Sequence, residues 1–336
     1  MSKIKVVHFG LGPIGAAIVH QIASRPGFSI VGAIDIDPAK VGKDLAGVVG
    51  LKRRLGVVVQ ADAAKVLKAA RPDVVVHCTS SSLKNVMPQL EAILKAKVAI
   101  VSTTEELAYP SRTNKREAGA LDLLAKKAKV GVLGTGVNPG FAMDALPLML
   151  TAACERVERV AVVRMQDARI RRLPFQQKIG AGLTLEQFEK KVKDGSVRHV
   201  GFTQSIAMIG DALGWKLDCI TDSIQPKIAE TTVQSELLAV DPGYVCGIIQ
   251  DGVGIRKGAP VITLHLEAYL GAPETYDGIE IDGSPKLSMK ISTGIHGDVA
   301  TASLVVNSIG KILSATPGLH TMRDLVLPSF FPGRIS

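Results

Sequence analysis

Short runs rich in Val, Ile and Ala fall at residues 5–9, 29–34, 57–59, 74–78, 98–102 and 130–133, and between them apolar residues recur every three or four positions. The first spacing predicts strands, and the second predicts helices over 14–22, 63–70, 86–94 and 117–127. The earliest helix aligns Ile14, Ile18 and Ile22 on one face and is stopped by Arg25-Pro26-Gly27. Such alternation predicts an α/β fold with a doubly wound parallel sheet covered on both faces. From residue 146 the pattern changes. Alternating runs at 159–165, 261–268 and 286–291 predict a second α+β domain built on an open mixed sheet, with helices over 184–193 and 204–213. A long apolar helix over 299–312 is expected to return to the first domain. The expected division is 1–145 completed by 298–336 as one domain, and 146–297 as a second.

Composition narrows this picture. The chain has 336 residues, enough for two domains, and 46% of them are hydrophobic. No apolar run approaches the ~18 residues that cross a bilayer, and the opening run enters a strand without a signal-peptide h-region. Cys78, Cys154, Cys219 and Cys246 are scattered without a CxxC pair, which fits a cytoplasmic protein with free thiols and argues against a structural zinc. The net charge of +9 is spread over small clusters, Lys52-Arg53-Arg54 and residues 169–172, and only 4% of residues are aromatic. Few stacking platforms and no long basic stripe argue against nucleic acid as a partner.

Gly10-Leu11-Gly12-Pro13-Ile14-Gly15 follows the first predicted strand and opens the first predicted helix. In that context a G-x-G-x-x-G run is the phosphate-binding turn of a Rossmann domain. Gly10 permits the turn, Gly12 admits the pyrophosphate, Gly15 lets helix pack on strand, and Pro13 suits the first helical position. Asp35 ends the second strand, where an acid accepts hydrogen bonds from the adenosine ribose. NAD is therefore favoured over NADP, with Lys40 and Lys43 close enough to tolerate a 2′-phosphate.

Ligands of such sheets sit beyond the carboxyl ends of the strands, and three loops fall there. Cys78-Thr79-Ser80-Ser81-Ser82 offers hydroxyls to the cofactor or to helix capping, with Thr79 and Ser80 the candidates. Ser102-Thr103-Thr104-Glu105-Glu106-Leu107-Ala108-Tyr109-Pro110 carries two adjacent acids. One of them is a candidate general base near the nicotinamide and the other serves a helix terminus, and spacing alone does not assign the roles. Gly134-Thr135-Gly136-Val137-Asn138-Pro139-Gly140-Phe141 has the backbone freedom to fold over a flat ring, with Asn138 and Pro139 as cofactor contacts. Phe141 and Met143, with Gln166, Phe175 and His199 further on, are candidate substrate-pocket residues. For His199 a purely structural place weighs equally.

On these loops the chain resembles the 2,4-diaminopentanoate dehydrogenases and their relatives, the native amine dehydrogenases, within the dihydrodipicolinate-reductase-like group. The likeness continues through His199-Val200-Gly201-Phe202, Asp211-Ala212-Leu213-Gly214-Trp215 and Thr316-Pro317-Gly318-Leu319. It implies a homodimer, with 146–297 as the substrate-binding and dimerisation domain, an NAD(P) cofactor, and a glutamate, here Glu105 or Glu106, acting in reductive amination of small ketones or aldehydes with ammonia. Gln166-Asp167-Ala168-Arg169, running on to Phe175, departs from what the resemblance implies for diaminopentanoate enzymes and is closer to the amine dehydrogenases. The alternatives are a 2,4-diaminopentanoate dehydrogenase and a dihydrodipicolinate-reductase-like imine reductase. The latter is disfavoured because none of the seven histidines are adjacent. Sugar oxidoreductases of similar layout carry Glu-Lys-Pro where this chain has Glu105-Glu106-Leu107. A catalytically silent NAD-binding scaffold would bind cofactor without turnover. No HExxH-like spacing points to a metal.

Overall fold

A computed structural model describes residues 3–110 and 112–333. Met1, Ser2 and residues 334–336, at the ends of the expected first domain, lie outside the described residues. The chain divides into two compact units, Met1–Phe141 with His296–Ser336, and Ala142–Ile295. The first boundary thus follows Phe141 rather than residue 145, and the return begins at His296 rather than 298.

In the first unit the order is β1 (Ile4–Phe9), α1 (Pro13–Ser24), β2 (Phe28–Ile34), α2 (Leu45–Val49), β3 (Val59–Gln60), α3 (Ala63–Ala70) and β4 (Val74–His77). There follow α4 (Leu83–Lys95), β5 (Ala99–Ser102), α5 (Lys115–Ala128) and β6 (Gly131–Gly134). The second unit contains α6 (Ala145–Thr151), β7 (Arg156–Asp167), α7 (Leu173–Lys178), α8 (Leu185–Lys193), α9 (Phe202–Ala212), β8 (Cys219–Ile228) and the short pair β9 (Val233–Gln234) and β10 (Ala239–Val240). It ends with β11 (Val245–Arg256), β12 (Ala259–Tyr269), β13 (Tyr276–Ser284) and β14 (Leu287–Ile291), before α10 (Gly297–Leu313) and β15 (Gly318–His320) return to the first unit.

The first sheet is parallel, with strand order β15-β6-β5-β4-β1-β2-β3. Its central strands are almost wholly buried, as expected of strands covered on both faces. Val7, Phe9, Val75, Ile100 and Val132 pack with Leu83, Leu90, Ile93 and Leu121 of α4 and α5. A separate cluster joins Leu11, Val19, Ala33, Leu45 and Val59. Strand β3 starts later than the sequence pattern predicts, because Val57 and Val58 pair with the segment around Asp44 and Leu45 instead of with β2. The long helix packs on α1 and β5 of this unit. The three-residue edge strand β15 is too short to have announced itself.

The second sheet is mixed, in the order β14-β13-β7-β12-β11-β8, with β7 and β12 parallel and the other neighbours antiparallel. Three of its strands, β8, β11 and β13, escape the apolar-run reading for physical reasons. Strand β8 contains Pro226, which the ladder tolerates because β8 is an edge strand. Strand β11 carries Gly252 and Gly254, where an added Cβ would lie 2.8 Å from Phe202 and from Ile206. The glycines let the apolar face of α9 approach the sheet closely. Strand β13 is punctuated by Gly278 and Gly283.

Candidate active site

The glycine loop has the shape that its spacing predicts. Gly10 has φ +93°, and an added Cβ there would sit 2.4 Å from the Cys78 carbonyl oxygen. At Gly15 it would sit 2.1 Å from the carbonyl oxygen of Gly10, so helix and turn approach too closely for any side chain. At Gly12 a Cβ would meet nothing within 4 Å among the described residues, which leaves space where a pyrophosphate would lie. Pro13 and Ile14 open α1, whose first turn contains no acid, so its N-terminal N–H groups and dipole are positioned for phosphate. Asp35 is buried, and its Oδ2 accepts the Leu11 N–H at 2.8 Å while Oδ1 accepts the Asp37 N–H at 2.9 Å. Lys40 Nζ stands 3.2 Å from the same carboxylate. Burial alone would raise the Asp35 carboxyl, but the N–H donors of Asp37 and Leu11, with Lys40, outweigh it and hold the group below its usual range. This loop, helix end and acid fit a nicotinamide dinucleotide.

The loops after β4 and β5 are stitched into one ledge. His77 ends β4, with Nδ1 2.9 Å from Ser102 Oγ and Nε2 2.7 Å from Gln89 Oε1 of α4. Burial, against the pull of Gln89, pushes His77 down to about 4, so it is neutral at physiological pH. Ser102 Oγ donates to Thr104 Oγ1, which donates to the Ser80 carbonyl at 2.9 Å. The Thr103 N–H donates to the His77 carbonyl and the Glu106 N–H to the Ser81 carbonyl. Thr79 is exposed, and its hydroxyl donates to Gln89 Oε1 at 2.7 Å.

Glu105 and Glu106 begin a single 3₁₀ turn ending at Leu107. Both are half-buried. Glu106 Oε2 accepts the N–H of Leu83, the first residue of α4, at 2.7 Å. Ser82, the residue before that helix, makes no side-chain cap among the described residues, and Glu106 supplies it from another loop. Behind the turn, an added Cβ at Gly134 would lie 2.5 Å from the Leu107 backbone, so this glycine lets the acid-bearing turn rest on the end of β6. In the loop that follows, the Asn138–Pro139 bond is cis, and Asn138 and Pro139 are buried. The Val137 N–H donates to Thr301 Oγ1 of α10.

In the second unit Gln166 and Phe175 are joined by a residue that the sequence reading did not single out. Buried Arg171 donates to Gln166 Oε1 at 2.9 Å, and its guanidinium lies 3.9 Å from the Phe175 ring centroid. Gln166 Nε2 is buried without a hydrogen-bond partner among the described residues. Beside them is a cavity of about 800 Å³ lined by Arg169, Ile170, Arg171, Arg172 and residues 234–237. Gln176 braces its two walls, donating to the Arg171 carbonyl and accepting from Ser235 Oγ. The His199 ring contacts its own loop and Phe202, and its backbone N–H donates to Gln250 Oε1. Part of His199 is exposed, yet desolvation of the ring, with Lys178 and Arg164 nearby, pushes it down to about 3. Met143 is fully buried, and Phe141 is half-buried at the end of the first unit. Arg164 and Asp277 form a buried ion pair at 2.6 Å, and both also bind the Ile295 backbone. Among the described residues no helix is long and apolar enough to cross a membrane, and no group of three His, Cys, Asp or Glu residues could hold a metal ion.

Comparison with known proteins follows the same division. Residues 4–133 match the dihydrodipicolinate reductase N-terminus, and residues 141–336 match the 2,4-diaminopentanoate dehydrogenase C-terminal domain. The 2,4-diaminopentanoate dehydrogenase of Acetoanaerobium sticklandii is 33% identical over 99% of this chain and 96% of its own. An amine dehydrogenase of Streptomyces virginiae is 25% identical over 96% of each chain. Among solved structures, the amine dehydrogenase of Mycobacterium smegmatis superposes with a TM-score of 0.88 at 26% identity over 99% of both chains. With the glycine turn, the acid-bearing turn and the mixed-sheet unit accounted for over nearly the whole length, the chain belongs to the 2,4-diaminopentanoate dehydrogenase family of oxidoreductases.

Proposed function

We propose that this protein is an NAD(P)-dependent amine dehydrogenase that converts small ketones or aldehydes and ammonia to amines, and runs the reverse deamination. One observation carries the reading. An acid-bearing turn is pinned to the loop after β4, at the carboxyl end of a sheet whose first turn fits a dinucleotide. Ligands of such sheets bind at that end.

The nicotinamide, when bound and reduced, supplies the hydride. The chain supplies the proton handling. A carboxylate of the Glu105/Glu106 pair takes a proton from the attacking nitrogen and returns it to the departing hydroxyl, so that water leaves. Its negative charge then favours the substrate iminium, a role that a lysine or arginine would oppose. Asp35 favours NAD through the ribose hydroxyls, and Lys40 is placed to meet a 2′-phosphate should NADP bind. The half-exposed face of the second sheet, with Val163, Ile249 and Val253, supports a homodimer. The free cysteines suit a cytoplasmic setting.

A second reading, oxidation of a diamino acid, is favoured by the 33% identity to the Acetoanaerobium sticklandii enzyme. One assay separates the two. NADH should be consumed with small ketones or aldehydes only when ammonium is added. Turnover without ammonium would make the protein a ketoreductase, and NAD reduction with 2,4-diaminopentanoate alone would favour the second reading.

A further inference from the structure

Two glutamates stand side by side where the chemistry needs one, and the contacts of Glu106 give it a task of its own at the start of α4. We propose that Glu106 is a positioning residue that caps α4 and fixes the turn from which Glu105, as the catalytic acid, meets the substrate. This assignment rests on the amine reading for the role of Glu105, but the role of Glu106 stands on its own contacts.

The Glu106 backbone N–H is tied to the Ser81 carbonyl at 3.1 Å, and its carboxylate reaches back to the Leu83 N–H at 2.7 Å. Those two bonds close a ring around the start of α4. The first N–H groups of a helix have no partner within it, and Ser82 supplies no side-chain cap among the described residues. An anionic acceptor at a helix N-terminus is also favoured by the helix dipole. The same turn is held from beneath by the chain His77, Ser102, Thr104 and the Ser80 carbonyl, and from behind by the close packing of Leu107 on Gly134. Glu105 occupies the first position of a turn fixed on every side. A proton carrier must be held at hydrogen-bond distance from its reacting partner, about 2.6–3.2 Å, and a 1 Å misplacement costs roughly 10²-fold in rate.

The test compares Glu105→Gln, Glu106→Gln and Glu106→Ala in the full-length protein. It measures steady-state turnover with NADH, a small ketone and ammonium, the NADH Kd, and hydrogen exchange at the Leu83 amide. Glu105→Gln should lower kcat by roughly 10²-fold or more and leave Leu83 exchange unchanged. In Glu106→Gln the amide oxygen still accepts from Leu83, so kcat should fall by no more than about threefold. Glu106→Ala should lower kcat by roughly tenfold or more, leave the NADH Kd little changed, and speed Leu83 exchange. If Glu106→Ala does not fold, Glu106→Gln alone decides. Glu106→Gln losing as much turnover as Glu105→Gln is expected to lose, or Leu83 exchange indifferent to Glu106→Ala, would overturn the proposal. If the unaltered protein shows no ammonium-dependent turnover, the reaction reading falls instead, and Leu83 exchange still decides whether Glu106 caps the helix.

Discussion

The candidate site residues of the two units are assembled in different ways. In the first unit the candidate site residues sit in contiguous loops, Gly10 to Gly15, Glu105 with Glu106, and Gly134 to Gly140, fastened by backbone groups together with short-range side-chain bonds. In the second unit, buried side chains pair across long stretches of sequence. Gln176 meets Ser235 at a separation of 59 residues, and Arg164 meets the Ile295 carbonyl at a separation of 131. A contiguous loop can be read from spacing. A pair assembled from distant strands can be read only after the sheet has folded.

The glycine turn gives the largest effect by which to break this contrast. Gly15→Ala drives a Cβ to 2.1 Å from a backbone oxygen, where no side chain can yield. NADH binding should fall by roughly 10²-fold or more, with a lowered melting temperature. Gly12→Ala meets open space among the described residues, so the fold should keep its stability while NADH binding weakens. Fluorescence titration and thermal unfolding of both variants check this. Equal stability loss in the two would mean that the turn is ordinary packing.

The second unit offers a stability effect of comparable weight without a cofactor effect. Arg164→Met strands the buried carboxylate of Asp277, and breaking such a pair costs about 3–5 kcal/mol. Denaturant unfolding should show that loss, and Arg164→Met with Asp277→Leu should recover most of it. If the single substitution is neutral, the pair does not organise this unit.

Protonation sharpens the comparison at a smaller scale. His8 and His77 in the first unit are buried, and burial pushes them down to about 3 and about 4. The unfolded chain binds these protons near the ordinary pKa of about 6.5, so the unfolded state takes up more protons between there and about 4. Stability is therefore full above that window and should fall as pH drops through it, by a few kcal/mol in total. His199, partly exposed, should contribute in the same direction but less. His265 runs the other way. Burial alone would lower it, but Asp251 and Glu267 outweigh that and raise it, so its contribution is present at low pH and lost as pH rises. Unfolding free energies from pH 7.5 to 4, with His77→Gln as comparison, check the sign. Stability that rises on acidification would contradict the burial account.

These contrasts also explain what was legible in the sequence. The first sheet, its glycine turn and the position of Asp35 follow from runs and spacings within about thirty residues. The role of Asp35 in holding the Leu11 N–H was not legible, because a carboxylate that faces a ribose and one that steadies a loop leave the same letter at the same place. The paired acids were visible as a pair, but their division depends on the start of α4, whose cap comes from 23 residues away. In the second unit Gln166 and Phe175 could be singled out while Arg171, the residue that joins them, could not, since one arginine among several in a basic stretch reads as solvated surface. Strands β8 and β11 were hidden by Pro226 and by the glycines that admit α9.

In the proposed reaction, nitrogen from ammonia and hydride from the nicotinamide end on the same substrate carbon. Mass spectrometry of the product formed from a small ketone, ¹⁵N-ammonium and NADH deuterated at the transferable position tests both halves at once. That reaction gives an amine heavier by one unit for nitrogen and one for deuterium, with both labels on the former carbonyl carbon. An alcohol carrying deuterium and no ¹⁵N would contradict it.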